Sequence, residues 1–269
     1  MAYHFPFGQE VRPVVQQDRT PKKVFVLGVY ASAVHARWKG RDGKVICKAL
    51  AVASEPIIFW DGKEKEKAEE IISKINIPEG AGTLEPAASN LNGPSGRTLD
   101  DRILAYLGDK KNKIKIRDDV WLCDLLPESR LNPSQIKVIE DKYNPLVKQY
   151  GLTPVPIEEL KRPKKFCDQK RCEEILEELR ESQAKLLVLL GDIPIKEFLN
   201  KVAKVDFTSL KEYVEKYDYG KGLKVVIDNR TIEVLPLAHP RQIGALGSHS
   251  QKWSNKHSKW EESKKNKSK

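Results

Sequence analysis

The residues able to do chemistry follow short apolar runs. Val24–Leu27 leads into Gly28-Val29-Tyr30-Ala-Ser, and Val120-Trp-Leu-Cys123 into Asp124-Leu-Leu-Pro. Leu186–Leu190 leads into Gly191-Asp192, and Val234–Leu237 into Ala238-His239-Pro240-Arg241. A phenol, two carboxylates and an imidazole in such places can bind a polar ligand and move protons. Ligands of open α/β sheets bind at the carboxyl ends of the strands. Tyr30, Asp124, Asp192 and His239 are therefore expected to face one crevice. Each alone is an ordinary strand-end turn; their recurrence together carries the inference.

The elements that must position them alternate in type. Short apolar strands are expected at 24–28, 44–53, 120–123 and 186–191, and a hairpin over 225–237 turns at Asp228-Asn229. Helices are expected at 63–75, 98–107, 133–150, 171–183, 194–202 and about 250–260, and loops at 76–97 and 151–168. This alternation predicts an α/β class with a mainly parallel sheet. Residues 1–22 read as an irregular N-terminal arm, 23–260 as the folded domain, and 261–269 as a basic disordered tail.

Composition narrows the function classes. The chain has 269 residues, 39% of them apolar, enough for a sizeable core. No window approaches a membrane span, and Met1–Glu10 has no secretory pattern, so no membrane partner and a cytoplasmic location are expected. The four cysteines are too scattered for a disulfide framework. Cys167 and Cys172 have no matching pair in Cys47 and Cys123, so no metal site is expected. Dinucleotide, P-loop and nucleophile-elbow signatures are absent, and no small-molecule cofactor is expected. The net charge is +10, and residues 252–269 hold seven lysines against two glutamates. A basic excess so concentrated suggests a polyanionic partner, nucleic acid first.

Taken in order, Gly28-Val-Tyr-Ala-Ser, Asp124 after Val-Trp-Leu-Cys, Leu190-Gly-Asp-Ile-Pro-Ile-Lys196 and Leu237-Ala-His239-Pro240 resemble the uracil-DNA glycosylase superfamily. The resemblance spans about residues 24–260, with His-Pro its most specific element. It implies a three-layer αβα sandwich around a four-stranded, mainly parallel sheet. It also implies DNA binding with the target nucleotide flipped out, and hydrolysis of the base–sugar bond. His239 then corresponds to the donor that stabilises the departing base.

Two departures from the family pattern matter. The places one and two after Gly28, where several branches carry an acid or amide that positions water, are Val29 and Tyr30. Glu55, Asp100, Asp101 and Asp192 are the acids able to substitute, the alternative being His239 with a backbone-held water. The base-reading position, usually asparagine, is Asp124. A carboxylate only accepts, so it suits the N4 amino group of cytosine rather than O4 of uracil. Its second oxygen would face cytosine N3, so that contact needs one shared proton.

Val52 lies where one branch has a stacking phenylalanine, which would leave room for a bulky base; Phe59 or Trp60 could stack instead. With Val29 and Tyr30, Val52 and Phe59 complete the expected base pocket. Ile243 and Leu246 lie where family members place a wedge into the vacated base stack. Arg241, Ser248, Ser250 and Lys252 are candidate phosphate ligands, as are His35 and Arg37.

The expectation is a monomeric DNA glycosylase acting through His239 and Asp124 on a cytosine-derived base, such as modified phage DNA carries, with a role in defence. The alternatives are repair of uracil or a deaminated base, and a DNA-binding protein with a degenerate glycosylase fold.

Overall fold

The computed structural model describes residues 3–108, 117–245 and 250–268. Among them the chain forms eight strands: β1 (Val24–Tyr30), β2 (Ala33–Lys39), β3 (Val45–Ser54), β4 (Thr83–Pro86), β5 (Val120–Leu126), β6 (Leu186–Leu190), β7 (Leu223–Ile227) and β8 (Arg230–Leu237). The fold is mixed α/β, and it divides into two compact units.

One unit comprises residues 15–30, 95–126 and 165–269. Its sheet has the order β5-β1-β6-β8-β7. The first four strands are parallel and β7 is antiparallel to β8. The sheet therefore has five strands where four are expected, because the 223–237 hairpin lies inside it. Asp228 and Asn229 both take positive φ at the hairpin turn, the twist that suits a two-residue connection. β1 and β6 are almost wholly apolar and buried, as parallel strands covered on both faces must be. The edge strand β7 alternates instead, burying Val225 and Ile227 and exposing Lys224 and Val226. Helices flank the sheet. The helix Gln169–Ser182 packs on β5; Asp168 caps it by accepting from Arg171 N–H at 2.8 Å.

The other unit comprises residues 1–14, 31–94 and 127–164. Its three strands are antiparallel, in the order β3-β2-β4. The stretch at 44–53 thus forms a strand, but in this sheet rather than the parallel one. Trp38, Leu50, Val52, Ile139 and Tyr143 form its core. Phe5 and Phe7 belong to the same core, with Phe7 edge-on to both Trp38 and Tyr143. The segment that carries them, within the stretch 1–22 expected as an irregular N-terminal arm, is thus packed into this core, where its aromatic side chains bury apolar surface.

The basic C-terminal stretch differs from expectation as well. The helix Gln251–Ser268 runs through residues read as a disordered tail. Glu261, within that stretch, is bound through both carboxylate oxygens by Arg102, which pins the helix beyond Trp260.

Candidate functional site

Backbone register aligns the strand ends. Gly28 pairs with Asp124 across β1 and β5, Leu27 with Leu189 across β1 and β6, and Leu190 with Leu237 across β6 and β8. Asp124, Gly28, Leu190 and Leu237 therefore form one row across the sheet. Tyr30, Asp192 and His239 lie two residues beyond this row, toward the carboxyl ends.

Asp124 is 3% exposed and lies within β5, which continues to Leu126. It is a strand residue and not a loop cap. Its carbonyl accepts from Arg171 Nη2 at 2.8 Å, and the Leu125 carbonyl accepts from Arg171 Nε at 3.2 Å. The Arg171 Nη1 atom donates to Glu174 and Glu178, and Glu178 also accepts from Trp121 Nε1 at 3.0 Å. β5 is an edge strand, and Arg171 supplies charged donors to two successive carbonyls there. The neighbouring Cys123 thiol is fully buried and its pKa is pushed well up by burial, so it is no nucleophile. Arg171 is not among the residues the strand ends single out. Its signal was the spacing Arg171, Glu174, Glu178, which places both acids on the arginine's face of one helix.

His239 follows β8 and caps the short helix Pro240–Ile243. Its Nδ1 accepts from Arg241 N–H at 3.2 Å, and its own N–H donates to Gln242 Oε1 at 3.2 Å. With Nδ1 an acceptor, a neutral ring carries its proton on Nε2. Gly191 N–H donates to the Leu237 carbonyl at 2.8 Å, closing β6 against β8 just before the histidine. Gly191 has φ +89°, and a Cβ there would stand 3.3 Å from His239 Cβ. The backbone thus favours glycine, and any Cβ would also crowd the root of the histidine side chain.

Tyr30 ends β1, half-buried, with its ring stacked on Phe166 at 5.9 Å and 13°. Val29 is buried. Phe166 and Cys167 are fixed by their N–H groups, which both donate to Glu197 Oε2, at 2.7 and 3.0 Å.

Three of the four substitute acids have structural tasks. Glu55 is 2% exposed and accepts from Ser32 N–H and Trp60 N–H, one through each oxygen. Asp192 accepts from Leu210 N–H at 2.7 Å. Asp100 is buried in a two-point pair with Arg117. Asp101 is exposed.

Several predicted contacts need correction. His35 is buried on β2, with Asn92 bonded to its backbone on both sides and Gln135 Nε2 at 2.8 Å from its ring Nε2. Burial pushes its pKa down to about 4, so it is neutral at pH 7 and unsuited to phosphate. Ile243 is fully buried and cannot be a wedge, since its short helix turns that side chain into the core. Ser250 is 4% exposed in the turn that opens the last helix, closed to a phosphate. Val52 and Phe59 are buried in the unit with the antiparallel sheet, Val52 as part of its core. Arg37, in that unit, faces Glu85 across β2 and β4 in an exposed ion pair. Arg241 and Lys252 are exposed. Leu246 and Ser248 lie outside the described residues.

Cys167 and Cys172 bring their sulfurs to 2.9 Å, and burial drives the Cys167 thiol up to about 12. No group of three or more metal-binding side chains occurs among the described residues. None of the helices among them is long and apolar enough to cross a membrane. The sequence matches no protein-family model and no curated protein.

Proposed function

We propose that the chain is a DNA glycosylase that flips a nucleotide out of the duplex and hydrolyses its base–sugar bond, with its parallel sheet as the centre of a three-layer αβα sandwich. The observation that carries this reading is the placement of His239, which directly follows Ala238 where β8 ends and is fixed there by Arg241 N–H, whose bond to Nδ1 sets the ring's orientation. As the glycosidic bond breaks, positive charge grows on the sugar and negative charge on the departing base. A donor already aimed at the base oxygen stabilises that anion without reorganising. Water then adds to the sugar carbon, and its proton passes to the base nitrogen. Extruding the base costs a few kcal/mol, offset by contacts in the pocket.

Asp124 favours a cytosine-derived base. Its carboxylate matches the N4 amino group, and one proton shared with N3 completes the edge. Lys252, Lys256 and Lys259 recur at helical spacing on the last helix and supply positive charge for phosphates, with Arg241 nearby in sequence.

A second reading, DNA binding without excision, is favoured by one finding. Val29 and Tyr30 offer no carboxylate, and Glu55, Asp100 and Asp192 already have structural partners. The experiment that decides is abasic-site cleavage across duplexes carrying uracil, cytosine, hydroxymethylcytosine and glucosylated hydroxymethylcytosine. Turnover of a cytosine-type base is the expected result. Turnover of uracil alone supports the repair alternative, and turnover of none supports binding only.

A further inference from the structure

A chain of hydrogen bonds behind His239 is not used by the proposed chemistry. Ala238, the residue before the histidine, donates its N–H to the Tyr219 hydroxyl at 3.1 Å. The Tyr219 oxygen lies 2.7 Å from His257 Nδ1, and His257 Nε2 lies 2.7 Å from the Arg102 carbonyl. His257 is fully buried, and burial lowers its pKa below the ordinary histidine value, so the ring is neutral at pH 7. The direction of every bond follows. A carbonyl only accepts, so Nε2 carries the proton. Nδ1 is then an acceptor and takes the Tyr219 O–H. The Tyr219 oxygen is left with a lone pair for Ala238 N–H.

The groups around this chain are tightly placed. The Tyr219 ring packs against Trp253 at 6.1 Å and against His257 at 5.8 Å. A Cβ on Gly220 would come within 2.0 Å of the Trp260 ring, so only glycine lets that indole close over the turn. Arg102 grips the same helix through Glu261 and Ser258, and it donates to the Ile243 carbonyl at 2.9 Å. The helix 251–268 is therefore tied to both sides of His239: to Ala238 through Tyr219, and to Ile243 through Arg102.

We propose that Tyr219 and His257 are positioning residues for His239, locking the backbone that enters it and tying its placement to the helix 251–268. The inference rests on the reading of His239 as the donor to the departing base. It gives that helix a second task beside its lysines: its buried face holds the catalytic histidine in register.

The test begins with Tyr219→Phe. Amide hydrogen exchange of Ala238 in the free protein is measured first, because it needs no substrate. Exchange is expected to quicken, and single-turnover excision to fall about tenfold, the size of one ordinary hydrogen bond. Affinity for non-target DNA should stay unchanged. Two substitutions at His257 then separate positioning from mere packing. His257→Asn puts an amide oxygen where Nδ1 stood and keeps a partner for Tyr219. His257→Gln puts an amide NH₂ where Nε2 stood and keeps a partner only for Arg102. The asparagine variant should retain Ala238 protection and most excision, and the glutamine variant should behave like Tyr219→Phe. Unchanged Ala238 exchange in Tyr219→Phe overturns the proposal, as does faster exchange with undiminished excision, or equal behaviour of two folded His257 variants. A wild type that excises nothing sinks the glycosylase reading instead, and the exchange comparison still decides whether the relay holds Ala238.

Discussion

The carboxyl ends of β5 and β8 hold their candidate residues differently. At the β8 end the direct partners of His239 are local, Arg241 N–H on its ring and Gln242 Oε1 on its backbone N–H, both within three residues, and the ties to the helix 251–268 reach only its chain neighbours. At the β5 end Asp124 is held from a distance, by Arg171, 47 residues further along the chain. The hold on the ring itself is made by a capped helical turn. The distant hold exists only once the helix Gln169–Ser182 has docked on β5, and it involves buried charge. The β5 end should therefore respond to loss of an ionic partner, and the β8 end to crowding.

The largest stability effect is expected from Arg171→Ala. It leaves Glu178, 9% exposed, without its ionic partner and strips two carbonyls at the sheet edge. A loss of about 3–5 kcal/mol is expected in urea unfolding. Arg171→Lys should lose less, because an ammonium keeps the charge but cannot span both carbonyls. If Arg171→Ala costs under about 1 kcal/mol, the size of an exposed pair, the distant hold does not organise this end.

Asp124→Asn addresses the same end through specificity. The amide exchanges an acceptor for a donor, so preference should move from a cytosine-type base to uracil by about 1–3 kcal/mol. Wild-type excision should improve toward mildly acidic pH, since its contact needs a shared proton, and the variant should lose that trend. A wild type that prefers uracil with a flat pH profile would mean that Asp124 does not read the base.

Gly191→Ala tests the β8 end. Positive φ and a Cβ 3.3 Å from His239 should cost about 1–2 kcal/mol and displace the imidazole. Unfolding and excision should both register it, and normal excision would show that the histidine tolerates crowding. The smallest effect is expected from Lys252, Lys256 and Lys259 changed together to Gln. The slope of log K against log salt should shrink by about 2–3 with base preference unchanged. An unaltered slope would place DNA elsewhere. Substitution is cleaner than truncation, because removing residues 261–269 also removes Glu261, the partner of Arg102.

The same contrast explains what could be read in the sequence. β1, β5 and β6 are apolar runs, and β7 and β8 are joined by an Asp-Asn turn, all local signals. β2 carries a local signal of another kind than an apolar run: Val34, Ala36 and Trp38 alternate with His35, Arg37 and Lys39, the period of a strand in an antiparallel sheet. β4 is different: four residues ending in Pro86, inside the stretch 76–97 expected as loop, are too few to show a period, and pairing with β2 makes them a strand. The helix Leu210–Tyr217 was missed although Ser209, which caps it by accepting from Glu212 N–H, is a readable start signal. Within the candidate site, the His-Pro pair is a local motif that the sequence shows directly. Arg171, Tyr219 and His257 are not shown in that way, because what they hold is far away in sequence. Ile243 shows the converse: an apolar residue in a loop reads equally as wedge or core, and tertiary packing made it core.

The central claim is that His239 donates to a departing base. It is tested most directly by single-turnover excision with wild type and His239→Ala on the cytosine-type duplex that the wild type cleaves best. The account predicts a loss of about a hundredfold or more, the usual size for a preorganised donor, with affinity for non-target DNA unchanged. Excision within a few-fold of wild type by a folded His239→Ala protein would contradict it and leave His239 as the cap of its helix.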